Sequence, residues 1–494
     1  MEKEEIGGVR TALFWSFIQQ GSQQGLRFGL TIVMVRLLTP EDYGLLGMII
    51  IFTALSKTLS DAGFSSALVQ AKDISEADCN TAFYTNLGIA LLLYGALFVG
   101  APAIAEFYDQ PVLKSLVRFT GLGIVVSALS AVQAALYTRK LDFRTPTRMS
   151  LAAMVCGGAA GIYAAFAGLG VWSLAIQALT TTTVKCVLFW YRGSFRPQFT
   201  YSRASFAKLF SFGSRVSVMS VLETVFTNLH QVVIGKLFAP ALLGLYGRGK
   251  SLVDLGTMNV VQPVNLVIYP AMSRVQDDKG EIRSLHVRSL GLLGFAVTPT
   301  MVFLATAAEP IVDVLLTHKW IDCVPYLRLF CFVGALIPLR KACSTVLKAT
   351  DQLNDALRLQ LLSRSGSILA ITATFSYGIE AMIVGEAINL AVFSGLYFRQ
   401  VSIRTEATMV VQARAFLSSA LPSALAGGVT LALHTLVAWP HQIVTCVALA
   451  LTFGTTYLLL SHLVRSPAYE DARSVVFGLL RSRGNGVRQA NGAA

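Results

Sequence analysis

The chain has 494 residues, 54% of them hydrophobic and only 14% charged, with a formal net charge of +13. A soluble domain carries about 25% charged residues, so a water-soluble globular protein is excluded. A mean hydropathy of +0.61 and repeated apolar runs of about twenty residues, enough to cross a hydrocarbon core about 30 Å thick, define an all-α membrane protein instead. Runs such as 87–105, 150–166, 290–308 and 443–461 must satisfy their backbone polar groups internally, and helices do so. The ten-residue alternation of a β-barrel is absent from the sequence.

In chain order, residues 1–10 are acidic and polar, lack a small-residue cleavage site, and read as a retained cytoplasmic stub. About fourteen spans follow, predicted at 11–36, 43–70, 79–104, 113–137, 149–168, 171–191, 206–236, 243–270, 286–308, 324–347, 356–376, 379–398, 415–437 and 442–463. They group as a lobe of six over 11–191, a second lobe of six over 206–400, and an extra pair over 415–463. Residues 464–494 form a basic cytoplasmic tail.

Polar residues inside these runs are costly, at roughly 2.5–3.5 kcal/mol for a charge at mid-bilayer, and therefore face partners or water. Gln20, Gln23, Gln24 and Arg27 share one face of span 1, and Lys57 and Asp61 stand one turn apart on span 2. Span 7 carries Arg215, Glu223, Asn228 and His230; span 8 carries Arg248, Lys250 and Asp254, then Asn259, Gln262 and Asn265. The cationic and amide residues Gln20, Gln23, Gln24, Arg27, Lys57, Arg215, Arg248 and Lys250 are candidates for an anionic substrate. Asp61, Glu223 and Asp254 are candidates for a coupling ion. The Lys57/Asp61 and Lys250/Asp254 pairs could equally neutralise one another, and Arg248 and Lys250 could snorkel to the outer interface.

Two patterns organise the spans. Segments assigned to one side of the membrane hold 25 Lys and Arg, whereas those on the other hold only Lys114 and Lys319. The positive-inside rule then puts both termini in the cytoplasm of a bacterial inner-membrane protein. The net charge thus reflects topology and anionic membrane lipids, and no nucleic-acid partner is needed to explain it. A shift of 200 residues also aligns Val33, Leu37, Pro40, Gly44, Leu45 and Gly47 with Val233, Leu237, Pro240, Gly244, Leu245 and Gly247. Six spans separate the copies, so the lobes share one orientation, a plan in which transporters bind substrate at the repeat interface.

Other signals lead nowhere. Gly244-Leu-Tyr-Gly-Arg-Gly249-Lys250-Ser251 spells a phosphate-binding loop, but no strand precedes it and it opens an apolar helix on the outer side. Six dispersed histidines and seven scattered cysteines have no ligand spacing, so neither metal nor cofactor is expected. No acid/base or nucleophile constellation stands out. Trp15, Trp190, Tyr191, Trp320 and Trp439 read as interfacial anchors.

Arg36-Leu-Leu-Thr-Pro-Glu-Asp-Tyr-Gly-Leu, Leu59-Ser-Asp-Ala-Gly-Phe, Ala67-Leu-Val-Gln-Ala-Lys and Tyr269-Pro-Ala-Met-Ser-Arg-Val-Gln-Asp resemble polysaccharide transporters of the multidrug/oligosaccharidyl-lipid/polysaccharide flippase superfamily. The likeness is to the Wzx-type, colanic-acid exporter branch, and extends over Arg139-Lys-Leu-Asp-Phe, Leu242-Leu-Gly-Leu-Tyr and Lys319-Trp to cover roughly residues 10–400. Length and style also resemble rhizobial succinoglycan-type transporters. The resemblance implies two six-helix lobes about a cavity and export of exopolysaccharide by flipping a lipid-linked oligosaccharide, with an ion gradient as the driving force. A polysaccharide polymerase and export machinery are the partners it suggests. A cation-coupled multidrug antiporter of the same superfamily would favour an acidic cavity. A membrane-embedded polymerase or ligase would need a large external loop with catalytic residues, and a non-transporting scramblase or scaffold is a third alternative.

Overall fold

The computed structural model describes residues 21–61, 63–437, 441–464, 468–470 and 473, without the side chains of Arg215 and Leu353. Gln20, Trp15, Trp439, the stub 1–10 and most of the tail lie outside the described residues. Among the described residues there is no strand. The chain divides by packing into two units that meet at Gly244 and Leu245.

The first unit holds α1 (21–37), α2 (Pro40–Asp61), α3 (Phe64–Gln70), α4 (Glu76–Tyr108), α5 (Val112–Arg139), α6 (Arg144–Phe166), α7 (Val171–Arg192) and α8 (Arg203–Leu237). Local chemistry sets these boundaries. Pro40 is the first residue of α2, where its missing N–H costs nothing. Before it, the Thr39 N–H and hydroxyl both donate to the Asp42 carboxylate, at 2.9 and 2.8 Å. The Ser75 hydroxyl accepts from Asp78 N–H and the Asp78 carboxylate accepts from Ser75 N–H, a capping box that opens α4. Asp78 also pairs with Lys208 of α8 at 3.1 Å.

The predicted second span, 43–70, is two helices. Gly63, at φ 73°, breaks it between α2 and α3, and a Cβ there would lie 2.2 Å from the Gly213 carbonyl oxygen on α8. A helix that ends inside the bilayer leaves carbonyls needing donors. The Asn86 amide supplies two such bonds, donating to the carbonyls of Ser60 (3.3 Å) and Asp61 (3.1 Å). The end of α3 is held by Arg139, whose guanidinium donates to the carbonyls of Leu68 (3.0 Å), Ala71 and Lys72 (2.6 Å). Only a planar multi-donor fork spans three carbonyls in this way. Arg139→Lys should therefore lower stability by about 1–3 kcal/mol, read as a shift of the thermal midpoint of the detergent-solubilised protein. An unchanged midpoint would mean that the fork carries no weight.

The duplicated Pro/Gly segment is explained by contact within this unit. A Cβ on Gly44 would stand 1.7 Å from the Pro240 carbonyl oxygen, and one on Gly244 would stand 1.9 Å from that of Pro40. Each turn rests its backbone on the glycine of the other. Close packing by small residues also seats α7 on α6, where a Cβ on Gly157 would be 1.9 Å from Thr181 Oγ1.

α9 (Pro240–Arg274) runs across the division between units. The second unit continues with α10 (Lys279–Thr306), α11 (Ala308–Leu316), a 3₁₀ turn His318–Cys323, and α12 (Val324–Ala349). Then follow α13 (Leu353–Thr374), α14 (Ile379–Thr405), α15 (Met409–Leu417), α16 (Ala420–Leu436) and α17 (Gln442–Leu463). Trp320 of the 3₁₀ turn is fully buried, so it is core here and no interfacial anchor. Ten helical stretches among the described residues are long and apolar enough to cross a membrane, or eleven if bent α8 counts as one. α9 and α13 have the length, but their polar residues dilute the hydropathy, which is why the expected fourteen are not all recovered by that measure.

Candidate functional site

The first unit contains a cavity of about 660 Å³ walled by residues of α1, α2, α3, α4, α5, α7 and α8. It brings together three residues singled out in the sequence, Arg27, Lys57 and Asp61, and adds Lys185 of α7. Lys185 lies within electrostatic reach of Lys57, and its ammonium stands 5.6 Å from the Phe189 ring centroid. Among the described residues, Asp61 is the only acid on a wall that carries three cations. Among the described residues no salt bridge joins Lys57 to Asp61; the Ser65 hydroxyl donates to the Asp61 carboxylate instead.

Hydroxyls fill the space between the charges. Thr58 and Ser60 come from α2, Ser127 and Ser130 from α5, Thr181 and Thr182 from α7, and Ser217 and Ser220 from α8. Several donate to the carbonyl one turn back, as Thr181 does to Gln177 (2.7 Å) and Ser220 to Val216 (2.9 Å). That back-bonding leaves their oxygen lone pairs available to donors in the cavity. An ion or headgroup here would meet charge at Lys57 and Lys185 and adaptable hydrogen bonding around it. The broken helix at Gly63 delivers Asp61 to the same wall, the kind of interrupted element on which transporters build sites.

The other candidates lie elsewhere. Gln23 and Gln24 share α1 with Arg27 but are not wall residues of this cavity. Glu223 is on α8, close in sequence to the wall residues Ser217 and Ser220, and is likewise not part of the wall. Arg215 is on α8, and its side chain lies outside the described residues. Arg248, Lys250 and Asp254 belong to α9 within the second unit. There Lys250 is in electrostatic reach of Asp254 and of Glu386, which also feels Arg340 and Arg364. Below them the Asn389 amide bridges the Ser363 carbonyl (3.2 Å) and Ser367 hydroxyl (3.0 Å). The sequence reading passed over Lys185, Arg340, Arg364 and Glu386, although each is an ionisable residue inside an apolar run. Gly244–Ser251, the phosphate-loop look-alike, lies wholly within α9. In helical form its glycines cannot cradle phosphate as a loop does.

Many apolar spans, with a hydroxylated, cation-lined cavity among those of the first unit, define a multi-pass membrane protein. The chain belongs to the family described as "Polysaccharide biosynthesis protein", which matches residues 33–325. It is 26% identical over 342 residues to the lipopolysaccharide biosynthesis protein WzxC of Escherichia coli (strain K12), covering 68% of each chain. It is 26% identical over 400 residues to the succinoglycan biosynthesis transport protein ExoT of Rhizobium meliloti (strain 1021), covering 78% of this chain and 79% of that one. The fold is shared with lipid II flippase MurJ in an inward closed conformation, at a TM-score of 0.75 and 14% identity, over 92% of this chain and 99% of that one.

Proposed function

We propose that this protein flips an undecaprenyl-pyrophosphate-linked oligosaccharide across the bacterial inner membrane, from cytoplasmic to periplasmic leaflet, for exopolysaccharide export. The observation that carries this reading is the 660 Å³ cavity in which, among the described residues, Arg27, Lys57 and Lys185 outnumber the acid Asp61. A pyrophosphate takes several charge-assisted hydrogen bonds, and an arginine fork with two flexible ammonium groups matches that need. The surrounding hydroxyls suit a polar glycan whose identity varies. A multidrug antiporter for cationic compounds would want the opposite sign of charge.

Alternating access is driven in this reading by an ion gradient, with Asp61 as the coupling carboxylate in the first unit, and Asp254 and Glu223 as further candidates. Asp61→Asn should leave substrate binding intact while removing the dependence of transport on the imposed gradient, measured in proteoliposomes. Gradient-driven transport by the Asn variant would overturn that role. Both termini are cytoplasmic in this topology, and the polymerase and export machinery act on the product. Deleting the gene and extracting lipids tests the function itself. Oligosaccharide–lipid should accumulate on the cytoplasmic face with its synthesis intact; normal surface polymer would sink the proposal.

A further inference from the structure

A second pocket in the first unit, of about 300 Å³, shares three wall residues with the cationic cavity: Lys57, Ser127 and Thr182. These sit on α2, α5 and α7, which supply most of both walls. On α2 and α7 the character changes in the same direction. On α2, Leu46, Ile49 and Ala54 face the small pocket, and Ser60 and Asp61 the large one. On α7, Ala175, Ala178 and Leu179 give way to Thr181 and Lys185, whereas α5 lines both spaces with small residues and hydroxyls. α2 and α7 thus present a mainly apolar N-terminal half and a polar C-terminal half, with the Lys57 ammonium at the junction. From Leu46 to Lys57 is about 16 Å along the helix, at 1.5 Å per residue.

A binding surface with that gradient matches one kind of molecule, an amphiphile with an anionic head and an apolar chain. The direction also fits. The C-terminal ends of α5 and α7 carry Arg139 and Arg192, and basic ends mark the cytoplasmic side. A lipid in the cytoplasmic leaflet likewise has its head at that side and its chain toward mid-bilayer. Resting on the flippase reading above, we infer that the small pocket receives the isoprenoid segment next to the pyrophosphate. The protein then holds head and first chain units together in one bipartite cleft, with Lys57 at the phosphate–chain junction. The carrier's chain becomes part of what is recognised, in contrast to a cavity that takes only the head and leaves the whole chain in lipid.

Gly123 offers a direct probe, because a Cβ placed there meets nothing within 4 Å; Gly123→Leu fills the pocket without a backbone clash. Ala178→Leu, on the facing wall from α7, is a second filling variant should the first fold poorly. Inorganic pyrophosphate and farnesyl pyrophosphate are titrated against the full-length protein in detergent, wild type and both variants. Wild type should bind the farnesyl compound about tenfold or more tightly than inorganic pyrophosphate, since buried apolar surface adds to affinity. In the filled variants that gain should fall several-fold, while binding of inorganic pyrophosphate stays as in wild type. Partition of the chain into the micelle is common to all three proteins and cancels in the comparison. If inorganic pyrophosphate binds but the farnesyl gain is absent, or survives both fillings, this inference falls alone. If inorganic pyrophosphate does not bind at all, the anion-cavity reading falls and takes the inference with it.

Discussion

Gly44→Ala and Gly244→Ala are each expected to destabilise the protein by about 3 kcal/mol, at the upper end of what an added methyl group costs in a packed interior. The added carbon would stand 1.7 Å from one proline carbonyl oxygen and 1.9 Å from the other. A carbonyl is backbone, not the tip of a flexible side chain, so relief requires α2 and the start of α9 to move apart. The two remaining glycines of the repeat set the scale. A Cβ on Gly47 would meet Leu243 Cδ2 at 3.2 Å, and one on Gly247 would meet nothing within 4 Å. Gly47→Ala should therefore cost under about 1 kcal/mol and Gly247→Ala about nothing, since a rotatable leucine end can yield. Thermal unfolding of the four purified variants gives the ranking. Equal effects at all four positions would show that the reciprocal contact is not what fixes these glycines.

Neutralising Lys57 or Lys185 should weaken binding of inorganic pyrophosphate by about tenfold to a hundredfold, the range expected when one charge-assisted hydrogen bond of about 1.5–3 kcal/mol is lost. Lys57→Gln and Lys185→Gln keep much of the side-chain length while removing the ammonium, so the readout is charge. The two ammonium groups are within each other's electrostatic reach and repel in the empty cavity. A bound dianion relieves that repulsion, so the double variant should lose less than the product of the single losses would suggest. Exchange to arginine at either site should retain most of the affinity. Isothermal titration across a range of salt concentrations tests all of this, because binding dominated by these cations must weaken as salt rises. Unaltered affinity in both single variants would remove the cations from the site.

How far this was legible in the sequence follows from what kind of signal each residue leaves. Arg27, Lys57 and Asp61 stand out because charge interrupts long apolar runs, and the structure gathers them on one wall. Lys185 leaves the same signal in Leu179-Thr-Thr-Thr-Thr-Val-Lys185-Cys-Val-Leu, but it stands only two turns from Arg192, where a lysine also reads as interfacial. Its place on the wall is set by how α7 packs beside α2 and α5, a tertiary fact. The hydroxyls were unreadable for a different reason. Serine and threonine satisfy themselves on the preceding turn wherever they fall in a helix, so sequence does not separate Ser130 on the wall from any other serine. The break at Gly63 could have been read from Asp-Ala-Gly-Phe, but an apolar helix on both sides hid it. What positions Asp61 is the Asn86 amide from another helix, a partnership with no local trace.

The paired turns have a consequence for how a duplicated chain ages. After a segment is copied, its two versions are free to drift apart wherever they come to face different surroundings, and over most of the lobes they have done so. At Pro40 and Gly44, against Pro240 and Gly244, each copy is the other's surroundings. A side chain gained on either side collides with the ancestor of itself, so drift there is corrected from within the same molecule.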